Sequence, residues 1–134
     1  MQPEGIVDVL RDLCEALAGG GLIVDLEAIR PSGRVEVDGD PIGQIDDTAF
    51  FARADRAVAG LDALVDEGHV NRGRRLAFDT LVHYDTGREL IAAIAASDER
   101  HLPDRLATRL ADTGPSIIRE RSLVRVFPKS SPRP

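Results

Sequence analysis

The sequence predicts an α/β domain, and three observations carry that prediction. Apolar stretches of helical and of strand periodicity alternate along the chain, and glycine or proline clusters separate them. Aromatic residues make up only 4% of the chain and Trp is absent, so the core falls to Leu, Val, Ile and Ala. A length of 134 residues with 43% hydrophobic and 30% charged side chains suits one folded unit that needs no metal or disulfide staple. The reading places a single domain over residues 1–127 and a loose tail over 128–134, where Pro128, Lys129, Ser130, Ser131, Pro132, Arg133 and Pro134 offer no apolar anchor.

The first helix is expected from Pro3 to Ala18, because Ile6, Val9, Leu10, Leu13, Ala16 and Leu17 recur at helical spacing. Gly19, Gly20 and Gly21 end it, since glycine adopts the left-handed conformation that closes helices. Leu22 to Leu26 is then a short apolar run, the signature of a strand covered on both faces. Pro31, Ser32 and Gly33 are expected to break the chain before a small edge hairpin, in which Val35 and Val37 lead into an Asp38-Gly39 turn and Ile42 and Ile45 return. Asp46 and Asp47 cap a second helix through about Glu67, with Phe51, Ala54, Val58, Leu61, Leu64 and Val65 on one stripe. Arg74 to Tyr84 reads as a strand. Thr86 and Glu89 form a capping box for a third helix carrying Leu90, Ile91 and Ile94. A fourth helix spans about Asp104 to Ala111, and Ile117 to Phe127 is the last strand.

Charge and cysteine content narrow the setting. The net charge is −6, made of −10 over residues 1–70 and +4 over residues 71–134, a split that favours attraction between halves or between copies. The single cysteine, Cys14, cannot form an internal disulfide, which fits a reducing cytoplasm; it sits beside the apolar stripe and reads as a small buried side chain. No run of about 18 apolar residues spans a membrane, and no basic-then-apolar leader is read at the start.

Leu17-Ala18-Gly19-Gly20-Gly21-Leu22-Ile23-Val24-Asp25, followed by a long helix, a strand, short helices and a final strand, resembles the C-terminal half of class I S-adenosylmethionine-dependent methyltransferases. In that family a helix leads through a Leu-x-Pro-Gly-Gly turn into the fifth strand, and the last two strands pair antiparallel. The resemblance implies a partial Rossmann-like sheet with flanking helices and a small hairpin insertion. Here Ala18-Gly19 replaces the Pro, and the glycine-rich loop and ribose-binding acid of the family's other half have no counterpart. The triple glycine precedes a strand, whereas a phosphate cradle must precede a helix. No cofactor is therefore expected for the isolated chain.

If Leu22–Leu26 and Arg74–Tyr84 are parallel neighbours, Asp25, Glu27, His83, Tyr84 and Asp85 gather at one sheet edge, where open α/β sheets place ligands. Asp25, His83 and Asp85 could then hold a divalent metal, although strand ends commonly carry such residues without chemistry, and no catalytic, cofactor or metal residue is assigned. His69 and His101 lack ligands at metal spacing, and Ser32, Ser116 and Ser122 lack a nucleophile context. Arg119, Arg121 and Arg125 form a basic row without interleaved aromatics in an acidic protein, so nucleic acid is not expected as a partner.

The expected function is a non-catalytic, methyltransferase-like module that forms a homodimer or binds a separate chain, because a half-sheet leaves apolar surface uncovered. The alternatives are part of a split or N-terminally truncated methyltransferase, and a small-ligand binding module on the Asp25–His83–Asp85 edge.

Overall fold

Four strands and three helices follow one another among the described residues. They are β1 (Leu22–Val37), β2 (Asp40–Gln44), α1 (Thr48–Asp66), β3 (Arg75–Tyr84), α2 (Gly87–Ala95), α3 (Asp104–Leu110) and β4 (Ser116–Pro128). The structure is a computed structural model and describes Val9, Asp12, Leu13, Glu15, Ala16, Leu17 and Gly19–Ser130. Most of the helix expected from Pro3 to Ala18, and Cys14 with it, lies outside the described residues; Asp12, Leu13, Glu15 and Ala16 are helical.

The protein is α/β, with an open antiparallel sheet in the order β2-β1-β4-β3. This corrects the sequence expectation on a central point. The strands β1 and β3 are not neighbours, because β4 lies between them and runs opposite to both. The chain divides into two compact units, the first made of Met1–Glu27, Arg53–Ala77 and Leu123–Pro134, the second of Ala28–Ala52 and Phe78–Ser122.

In the second unit, Val35, Ile45, Leu90, Ile94, Leu102, Leu106, Leu110 and Ile118 form the buried cluster, with Val82 and Tyr84 packed against it. Pro31, Ser32 and Gly33 do not interrupt β1, which runs through them for 16 residues. Gly33 is required for close approach rather than for a turn. A Cβ there would stand 2.9 Å from Nη2 of Arg100 and 3.2 Å from Cγ2 of Ile118. Its N–H donates to Oδ2 of buried Asp47 at 2.9 Å, and its carbonyl accepts from Ile45 at 2.8 Å. The Asp38-Gly39 turn is as expected: both residues have positive φ, 52° and 81°, the mirror-image turn that matches strand twist. Pairing moves from Val35↔Gly43 to Glu36↔Pro41, so Ile42 is the extra residue of a bulge, and Nη1 of Arg109 donates to its carbonyl at 3.1 Å. Thr86 caps α2 by accepting from the Glu89 N–H at 3.1 Å, while the Glu89 carboxylate accepts from the Asp85 N–H at 3.1 Å. The capping box is therefore present but shifted by one donor.

Among the described residues of the first unit, Leu61, Leu64, Val70 and Phe127 are buried together, with Ile23 and Val65 against them. The start of the expected tail is anchored rather than loose. Lys129 donates its backbone N–H to Gly21 at 2.9 Å and its Nζ to the Leu17 carbonyl, and Ser130 donates to the His69 carbonyl at 3.1 Å. The remainder, Ser131–Pro134, lies outside the described residues.

Candidate functional site

Strand alternation decides what each face of the β1–β4 pair presents in the first unit. Successive side chains point to opposite sides, so Ile23, Asp25 and Glu27 share one face of β1 and Leu22, Val24 and Leu26 share the other. Arg125 of β4 joins the first set. Its Nε and Nη2 reach Oδ2 of Asp25 at 3.3 and 3.0 Å, and Nη2 lies 3.5 Å from Oε2 of Glu27. The guanidinium also lies 5.2 Å from the centroid of the Phe127 ring. The charges of the pair are thus turned inward, toward the side where Ile23 and Phe127 meet Leu61, Leu64 and Val65 of α1.

Two carboxylates then share one guanidinium in a mostly buried place. Burial, followed by the neighbouring charge on Asp25, pushes the Glu27 carboxyl up to about 7, although Arg125 pulls it down. Asp55 and Asp62 add to the upward shift. Glu27 therefore exchanges its proton near neutral pH, the property a proton-transfer group or a pH-responsive contact requires.

The outer face has the opposite character. Leu22, Val24 and Leu26 are 48%, 59% and 65% exposed, and Leu76 of β3 is 64% exposed. Since Arg125 faces inward, Val124 and Val126 face outward beside them, both half-buried. No charged side chain occupies these outward positions of β1 and β4 in this unit.

The other expected edge residues belong to the second unit. His83 is exposed, Tyr84 is packed against the apolar cluster, and Asp85 precedes the cap of α2 with its N–H bonded to Glu89. The structure brings Asp25 and Glu27 together, but on Arg125; they lie near the start of β1, whereas His83 and Tyr84 end β3. The expectation of one shared strand end rested on a β1 that stopped at Leu26. Among the described residues, no three His, Cys, Asp or Glu side chains are grouped to hold a metal ion. None of the described helices is long and apolar enough to cross a membrane.

Two polar clusters were not anticipated as such. In the second unit, Asp47 accepts from Nε of Arg100 at 2.7 Å, and Nη2 of Arg100 lies 2.7 Å from Oε1 of Glu120. Burial works against the charge on Arg100, and the two carboxylates more than offset it. In the same unit Nε of Arg119 donates to Oε2 of Glu36 at 2.6 Å, and Asp79 pairs with both Arg119 and Arg121, at 3.3 and 3.1 Å. The Arg119 hydrogen bond holds the Glu36 carboxyl below its ordinary value, and those from Arg121 and Arg119 do the same for Asp79.

No protein-family model, curated protein or solved structure matches the chain.

Arg125 itself appeared in the sequence only as one of a basic row. The missing signal was the spacing of Asp25 and Glu27: two acids at alternate positions of an apolar strand share a face and require a counter-charge from the neighbouring strand.

Proposed function

We propose that this chain is a non-catalytic module that works by self-association through the outer face of β1 and β4 in the first unit. The observation that carries this reading is the exposure of Leu22, Val24, Leu26 and Leu76, between 48% and 65%, on strands that an aqueous monomer would present polar side out. Contiguous apolar surface of this kind marks interaction sites. A second copy is the favoured occupant because the patch is uncharged. A two-fold contact sets each patch against its own image, and an apolar patch does so without opposing like charges. The pairing of Arg119, Arg121 and Arg125 with acids supports the view that nucleic acid is not the partner.

Methyltransferase-like descent is part of the reading only through the order of elements and the common direction of β1 and β3. The antiparallel strand between them departs from the parallel pairing first expected. Sedimentation velocity over a concentration series tests the proposal. The wild-type chain should sediment as a dimer, and the double variant Val24→Glu/Leu26→Glu as a folded monomer. A wild-type chain that stays monomeric at every concentration would remove the proposal.

A further inference from the structure

We infer that the first unit carries a second, separate site: an arginine-lined groove that binds a small molecule through a phosphate dianion or a pyrophosphate group. The groove has a volume of about 260 Å³ and is lined by Arg72, Arg74, Arg75 and Arg125, with Asp62 the one acid on its wall and buried Phe127 beneath. Counting formal charges, the lining carries +3. This concentration is local, because the whole chain is acidic at −6.

The arginines differ in how far their charge is already spent. Arg72 is held by Asp62, with Nη2 3.0 Å from Oδ1. Asp25 and Glu27 grip Arg125 through Nε and Nη2, so that among the described residues its Nη1 has no partner. The side chains of Arg74 and Arg75 are exposed and form no ion pair among the described residues. Two guanidiniums without an ion pair among the described residues and one half-used one therefore belong to the lining of one groove, and planar N–H forks match tetrahedral phosphate oxygens in bidentate fashion. Asp62 offsets Arg72, and Asp25 with Glu27 offsets Arg125, which leaves the charges of Arg74 and Arg75; a dianion matches both, whereas a monocarboxylate matches one.

The backbone beneath is fixed before any ligand arrives. Asn71 donates to the Pro128 carbonyl at 2.8 Å, Gly73 donates to the Val126 carbonyl at 2.8 Å, and Val126 donates to the Arg74 carbonyl at 2.9 Å. Gly73 is needed for this contact, since a Cβ would stand 2.7 Å from the Val126 oxygen and 3.0 Å from Cδ of Pro128. The arginines on both sides of Gly73 thus spring from a pinned segment, which lowers the ordering cost of binding.

Calorimetric titration of the full chain with pyrophosphate tests the site, with inorganic phosphate as the smaller probe. Saturable binding at one site per chain is expected, weaker for phosphate. Arg74→Ala/Arg75→Ala should weaken pyrophosphate binding at least about tenfold, or ~1.4 kcal/mol, with an unchanged thermal midpoint because neither side chain forms an ion pair among the described residues. Arg105→Ala, an exposed arginine of α3 in the second unit, should leave the affinity as it is. Three outcomes would overturn the inference: no saturable binding, equal weakening by Arg105→Ala, or a mixed-sequence oligonucleotide that binds the same arginines more tightly than pyrophosphate.

Discussion

The two compact units use the same kind of strand in opposite ways. In the second, Val35, Val37, Ile118, Val82 and Tyr84 face a cluster of eight buried apolar residues, while Glu36, Asp79, Arg119 and Arg121 pair on the other side of their strands. In the first, the described residues of the buried cluster are Leu61, Leu64, Val70 and Phe127, the acids Asp25 and Glu27 face inward onto Arg125, and Leu22, Val24 and Leu26 face out. In the second unit the charged side chains of the strands turn away from the apolar cluster; in the first, Asp25 and Glu27 turn toward the helix side and Leu22, Val24 and Leu26 are exposed. The difference teaches that hydrophobic content alone does not close a sheet. Which parity of the strand the helix covers decides whether a face is core or interface.

That contrast can be broken most forcefully at the leucines. Leu90 is fully buried in the second unit, so Leu90→Ala should cost about 3–5 kcal/mol in chemical unfolding. Leu26→Ala, on the exposed face of the first unit, should cost the monomer less than about 1 kcal/mol, the scale of exposed substitutions. Equal losses would mean that both faces are core.

Next comes the inward-facing acid pair. Glu27 is held protonated to about pH 7 in the folded chain, while the unfolded chain releases that proton near its ordinary value of 4.5. Its contribution is therefore complete below that lower value and declines as pH rises toward 7. Glu27→Gln should flatten this part of the urea-midpoint profile against pH. A variant that keeps the wild-type slope would place the titration elsewhere.

Smaller effects sharpen the comparison at the surface. Thr86→Ala removes the oxygen that caps α2 in the second unit and should lower stability by about 1 kcal/mol in thermal or urea melts. Arg72→Ala breaks the exposed pair with Asp62 in the first unit and should change stability by less than about 0.5 kcal/mol, diminishing further in high salt.

Local chemistry was legible in the sequence and long-range pairing was not. The Asp38-Gly39 turn, the Thr86 cap and the limits of α1 and β3 depend on a few adjacent residues, and each is found within a residue or two of its expected place. Pro31, Ser32 and Gly33 misled because the same residues that end a strand also permit close approach inside one; Arg100 and Asp47, which explain Gly33, arrive from distant parts of the chain. The insertion of β4 between β1 and β3 likewise leaves no local trace. For the candidate edge, Asp25 and Glu27 were found as a pair, but their partner Arg125 lies about a hundred residues away; Tyr84 and Asp85 answered to packing and helix capping instead, and His83 is exposed. Leu22 to Leu26 read as doubly buried because composition does not reveal that Leu22, Val24 and Leu26 are exposed on one side of the strand.

The bulge at Ile42 bears on how the open sheet guards its margins. On one margin β2 is only five residues long, Pro41 has no N–H to offer, and the bulge throws the remaining donors out of register, so an incoming strand finds no continuous template. The opposite margin, β3, runs ten residues without proline and relies on the side chains of Arg75, Asp79 and His83 to repel a newcomer. Any unwanted growth of the sheet, in concentrated solution or during refolding, should therefore begin along β3 rather than along β2.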